Sequence, residues 1–161
     1  MNRYQLNQKV FSLGDDYAIC DSDGNERAMV RSKFFSLGRK LTLEDPTGCE
    51  LLRIEQRLLS FGPTYEISQG GRQLAIVKKK LFTFFNCRFS VDVPGPDDLE
   101  ATGSFLEHEY TFTRGSADVA LVSKKWFSWG DSYGVEIQDG ENDALILASA
   151  IVIDLACHDG D

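Results

Sequence analysis

A chain of 161 residues can bury a substantial core as one domain, and 42% hydrophobic with 26% charged residues is the composition of a folded protein, which excludes a disordered chain. A net charge of −8 argues against general nucleic-acid binding, which needs a positive field, although the sum hides any local basic patch. The opening Met1-Asn2-Arg3-Tyr4-Gln5-Leu6 carries no apolar stretch, so neither signal peptide nor signal anchor is expected.

The chain is punctuated by two interleaved series of turns. Gly24, Gly48, Gly71, Gly95, Gly115 and Gly140 recur at intervals of 24, 23, 24, 20 and 25 residues. Their dipeptides, such as Asp23-Gly24 and Gly70-Gly71, suit tight hairpin turns because they tolerate positive φ. Half a period away lie Phe11-Ser12-Leu13-Gly14, Phe35-Ser36-Leu37-Gly38, Leu59-Ser60-Phe61-Gly62 and Phe127-Ser128-Trp129-Gly130, with Phe82-Thr83-Phe84-Phe85 at the matching phase. After each of these comes an apolar pair at spacing two, Tyr17/Ile19, Leu41/Leu43, Tyr65/Ile67, Phe89/Val91 and Tyr133/Val135, and Tyr110/Phe112 falls at the one remaining phase of the series. Small or polar residues separate the members, so one face is buried and the other wet.

Twelve strands follow, expected near 4–11, 16–21, 26–33, 39–45, 49–57, 63–69, 72–79, 86–93, 99–106, 108–113, 117–125 and 131–138. Propeller blades need about twice this period and solenoids need parallel coils. An antiparallel up-and-down series is best completed by closing into a barrel, which removes both edges. The last segment breaks the pattern. Glu141-Asn142-Asp143 can cap a helix, and residues 144–157 are apolar on every face. Such a helix must be surrounded, yet it is short of a membrane span and contains Asp154. Twelve strands leave a lumen that needs filling. The expected fold is therefore mainly β: a closed twelve-stranded antiparallel barrel with the C-terminal helix through its lumen.

That architecture, with Tyr4-Gln5-Leu6-Asn7-Gln8-Lys9, the Phe-Ser-x-Gly units, Lys78-Lys79-Lys80-Leu81-Phe82, Lys124-Lys125-Trp126-Phe127 and the 144–156 helix, resembles the LURP-one-related family of the tubby-like superfamily over essentially the whole chain. Tubby C-terminal domains bind phosphoinositides, and phospholipid scramblases are assigned to the same superfamily. The resemblance thus implies a membrane-associated role by analogy, since one fold hosts many functions.

Charge patterning offers an independent handle. Arg31, Lys33, Arg39, Lys40, Arg57, Lys78, Lys79, Lys80, Lys124 and Lys125 cluster beside the Phe-Ser-x-Gly turns, whereas Asp21, Asp23, Glu44, Asp45, Glu50, Asp92, Asp97, Asp98, Asp118, Asp139 and Glu141 cluster toward the glycine turns. In an up-and-down barrel the two series lie at opposite ends, so a basic rim and an acidic rim are expected. The basic rim would also carry Phe34, Phe35, Phe61, Phe82, Phe84, Phe85, Trp126 and Trp129. Basic groups beside interfacial aromatics suit docking on anionic phospholipid or phosphoinositide headgroups. Against this stands a plain structural role, with aromatics closing the core and lysines solubilising the turns. A protein partner on the acidic rim is a further reading.

Catalytic signals are sparse, and a non-enzymatic binding or scaffold module without cofactor or metal is expected. Gly130-Asp131-Ser132-Tyr133-Gly134 reads as G-x-S-x-G, with Asp154 and His158 following in hydrolase order, but a nucleophile elbow needs a strand before it and a helix after it. His108, between Glu107 and Glu109, reads as an exposed turn residue or a weak metal ligand. Asp154 must find hydrogen-bond donors, be neutral or reach the barrel mouth; a polar gate to a small cavity is the alternative. Cysteines 29, 38 and 70 residues apart match neither zinc nor dithiol spacing and predict free thiols in the cytoplasm, with the protein soluble or peripheral to a membrane.

Overall fold

The computed structural model describes residues 1–9, 16–33, 37–81, 87–126 and 132–158. Twelve strands run in chain order: β1 Asn2–Gln8, β2 Tyr17–Asp21, β3 Glu26–Ser32, β4 Lys40–Glu44, β5 Glu50–Gln56, β6 Thr64–Gln69, β7 Arg72–Leu81, β8 Cys87–Asp92, β9 Leu99–Ser104, β10 Glu109–Arg114, β11 Ala117–Ser123 and β12 Ser132–Ile137. Each pairs antiparallel with its neighbour, and β1 closes the barrel on β12 through the register Asn2↔Ile137 to Asn7↔Ser132. The period-2 pattern is the cause. All twelve residues of the six apolar pairs are at most 2% exposed and point into the lumen.

The glycine turns form one end of the barrel, which we term the lower end. Gly70 and Gly71 both have positive φ, at 57° and 79°, as a two-residue hairpin turn requires. Several carboxylates at this end shape the turns. One Asp21 oxygen accepts the amides of Asp23 and Asn25, and one Asp45 oxygen those of Thr47 and Cys49, at 2.9 to 3.0 Å. Thr47 Oγ1, the amide of Cys49 and the other turn donors together hold the Asp45 carboxyl below its usual range. The acidic rim is thus in part a set of turn-forming groups.

Helix α1, Asp143–His158, enters from the lower end and fills the lumen. Asn142 caps it, its side-chain oxygen accepting the Leu145 amide at 3.2 Å, and Asp143 sits at the positive end of the dipole. Asp143 also accepts from Asn2 and Tyr4 of β1 at 2.8 and 2.6 Å, which fastens the helix start to the wall. Residues around the helix, from Leu145, Ile146 and Leu147 to Ile151, Val152, Ile153 and Leu155, are all buried, so every face meets apolar wall. The expected strands and helix are present. The main boundary shifts are a β1 at Asn2–Gln8 rather than 4–11, a β7 that continues to Leu81, and a β9 and β11 that end two residues early at Ser104 and Ser123.

Candidate functional site: the upper rim and the polar cluster beneath it

The other turn series forms the upper end, where α1 terminates. Lys33, Arg39, Lys40, Arg57, Lys78, Lys79, Lys80, Lys124 and Lys125 all lie at or just below this end, near the upper ends of strands or in the turns between them. Some are engaged. Arg57 meets Glu66 at 2.9 Å, Lys78 meets Asp92 at 3.3 Å and Lys125 meets Glu109 at 3.8 Å. Lys33, Lys40, Lys79, Lys80 and Lys124 have no carboxylate partner among the described residues. Along β7, Ala75 and Val77 face the lumen, so Lys79 turns inward while Lys78 and Lys80 project outward.

Trp126 leaves this group. Its ring lies under the Arg3 guanidinium, 5.0 Å from the centroid, and lines a groove with Gln5, Asp21 and Gly24 toward the lower end. Phe34, Phe35, Phe82, Phe84, Phe85 and Trp129 lie outside the described residues, as do most of the Phe-Ser-x-Gly turns. Exposed hydrophobic residues nevertheless gather at the upper end: Leu37, Leu58, Leu59 and Phe61 in two neighbouring turns, and Leu106 in the β9–β10 turn. The first two turns are physically joined. Gln56 donates its amide to the Arg39 carbonyl at 2.9 Å, and a Cβ at Gly38 would approach Leu58 Cδ2 to 3.0 Å.

Inside the mouth sits a buried polar cluster. Tyr17 donates to Asp154 Oδ2 at 2.6 Å, and His108 Nε2 lies 2.6 Å from Asp154 Oδ1. The expectation of an exposed His108 is overturned: it is 6% exposed and stacks on Tyr133 with ring centroids 4.5 Å apart. The reason is local. His108 adopts φ +53° at the β9–β10 turn, which folds its ring back under the hairpin and into the lumen. Asp154 is therefore a paired structural group, as a carboxyl on a buried helix must be. Burial, then the Asp154 charge, pushes the Tyr110 and Tyr133 phenols well above their ordinary range.

The structure does not bring Ser132 and Asp154 together. Ser132 faces outward on β12 and donates to Asn7 at 2.5 Å, while Asp154 lies inside the wall with Tyr17 and His108 as its partners. The side chain of His158 lies outside the described residues. No cluster of three metal-ligating side chains occurs among the described residues. No described helix is long and apolar enough to cross a membrane, and all four cysteines are free.

Comparison with known proteins agrees with this architecture. A solved structure of an Arabidopsis thaliana protein, 19% identical, superposes with a TM-score of 0.69 over 98% of this chain and 91% of that one, and so shares the fold. The uncharacterized protein YxjI of Bacillus subtilis (strain 168) is 38% identical over 156 residues, spanning 97% of this chain and 94% of its own. The model of the LURP-one-related family matches residues 2–154, and the chain belongs to that family.

Proposed function

We propose that this protein is a non-enzymatic module that docks peripherally on an anionic membrane surface with the upper end of its barrel facing the lipid. The observation that carries this reading is the coincidence of two exposures at one end. Leu59 and Phe61 are fully exposed and Leu37 is 87% exposed, beside lysines that lack carboxylate partners among the described residues. Leu58 and Leu106 are exposed at the same end, and among the described residues the exposed large hydrophobics elsewhere are Met1 and the modestly exposed Leu121.

Each leucine or phenylalanine moved from water into the interface contributes about 1.5–3 kcal/mol when fully buried. Each lysine near an anionic surface adds about 1 kcal/mol, diminished by salt. Two inserted tips and four lysines thus supply roughly 7–10 kcal/mol before the costs of association, enough for reversible attachment. The acidic lower end would face away from the lipid, which reconciles the net charge of −8 with an anionic target. The free thiols are compatible with a cytoplasmic setting, and the tubby-like resemblance points the same way.

Vesicle flotation tests this directly. Binding to phosphatidylserine vesicles should exceed binding to phosphatidylcholine vesicles and weaken at high salt. Leu59→Ser with Phe61→Ser should lower attachment at every salt concentration, while Lys80→Glu with Lys124→Glu should remove the preference for anionic lipid. Equal indifference to both vesicle types would overturn the reading.

A further inference from the structure

Among the described residues, the shortest ladder of the barrel lies between β8 and β9. The ladder between β8 and β9 has rungs only at Phe89↔Ala101, Ser90↔Glu100 and Val91↔Leu99. Above them Cys87 and Arg88 remain paired with β7, and Thr102, Gly103 and Ser104 remain paired with β10. The two strands therefore part toward the upper end while each stays anchored on its other side. A cavity of about 800 Å³ occupies the gap, with Cys87 and Arg88 on one lip, Thr102 and Ser104 on the other, and Lys79 and Cys157 further in. This lies within the range of small-ligand sites.

Several features give the gap a chemical character. Gly103, whose neighbour Ala101 is fully buried, is exposed, so no side chain at this position obstructs the opening. A side chain there is sterically refused, since a Cβ would lie 2.5 Å from the Glu109 carbonyl oxygen. Lys79 points inward from β7, half-buried, without a carboxylate partner among the described residues, and lies close enough to Cys157 for its charge to be felt by that thiol. Arg88 stands at the lip, where it bonds Glu100 at 3.2 Å. None of the described residues lining the cavity is acidic, in a chain with 25 acidic residues. Lys79, two hydroxyls and the guanidinium of Arg88, which is shared with Glu100, are donors of the kind a phosphate uses. Lys79 also offsets the negative end of the α1 dipole, which would otherwise repel an anion.

We propose that the gap between β8 and β9 is a binding site for a phosphate group, with Lys79 as its inner cation and the lips admitting the rest of the molecule. The phosphate could come from free solution or from a lipid headgroup, and only the second source rests on the docking reading above.

Calorimetric titration with inorganic phosphate, dihexanoyl phosphatidic acid and dihexanoyl phosphatidylcholine separates the sources. Phosphatidic acid should bind best if the headgroup is the ligand, and inorganic phosphate should bind equally well if the free anion is. Lys79→Gln should weaken binding about tenfold, whereas Lys80→Gln on the outer face should leave it unchanged. The preferred ligand should also slow maleimide labelling of Cys87 and Cys157, a readout that needs no variant, and thermal melts check that Lys79→Gln is folded. Absence of binding by both inorganic phosphate and phosphatidic acid, or equal affinity in Lys79→Gln, would overturn the site. Flotation that persists in Lys79→Gln would leave docking intact while the titration judges the site. Phosphate binding without flotation would retain the site and reject the docking.

Discussion

Three tyrosines near Asp154 occupy similar buried positions and differ in their hydrogen bonding. Tyr17 donates to the Asp154 carboxyl, whereas the hydroxyls of Tyr110 and Tyr133 have no partner among the described residues. Tyr17→Phe should cost about 2 kcal/mol because it strips a donor from a buried carboxyl, and Tyr133→Phe should be close to neutral. Urea denaturation at neutral pH measures both. The alkaline limb separates them further. Tyr110 and Tyr133 keep their protons in the folded state well above pH 10.0, while unfolded phenols release them near that value. Their contribution to stability is complete below pH 10 and declines as pH rises above it, by about 1.4 kcal/mol per pH unit for each tyrosine. Tyr133→Phe should make the decline shallower by one such increment, and an unchanged slope would show that the phenol ionises in the folded protein. His108 illustrates what local reading misses. Flanking glutamates suggest exposure, but the positive φ of the turn decides where the ring goes, and only the tertiary partner Asp154 makes that conformation worthwhile.

The strands were legible because alternation records which face each residue presents, and that record is complete at the apolar pairs from Tyr17/Ile19 to Tyr133/Val135. Alternation is silent about where a ladder stops, since Cys87, Arg88, Thr102 and Gly103 keep a strand geometry whether or not they pair across the gap. The opening in the wall was therefore invisible in the sequence, and so was the direction in which Trp126 turns after β11. Gly103 is the exception, an isolated glycine inside a strand and hence a signal of close backbone approach. Gly103→Ala would put a methyl group 2.7 Å from the Tyr110 Cα at φ +141°. Backbone strain and overpacking together should cost about 3 kcal/mol, seen as a fall in Tm of roughly 6–12 °C. Gly48→Ala supplies the comparison, because its Cβ would meet nothing within 4 Å and only the strain at φ +87° remains. Equal losses in the two variants would show that the β9–β10 ladder yields to the added methyl group.

At the scale of the molecule, wall and helix are parts of a single hydrophobic core, and neither can bury its apolar face without the other. Leu145, Ile146, Leu147, Ile151, Val152, Ile153 and Leu155 are all at most 7% exposed. At about 1.5–3 kcal/mol for each, their burial is worth roughly 10–20 kcal/mol, as large as the whole net stability of about 5–15 kcal/mol for a typical domain. Removal of the helix would also leave the inward faces of Tyr65, Phe89 and Phe112 around an open lumen that the wall cannot collapse to fill, because the hydrogen-bonded ring of strands fixes its girth. A chain ending at residue 142 should therefore fail to form the barrel, with loss of near-ultraviolet tyrosine dichroism and strong binding of a hydrophobic dye. Intact protein should lose the far-ultraviolet helical signal and the tyrosine signal in one coincident transition. A shortened chain that kept a cooperative melt would mean that the wall stands alone and the helix is a lining, in which case the gap between β8 and β9 would become a passage into an empty barrel.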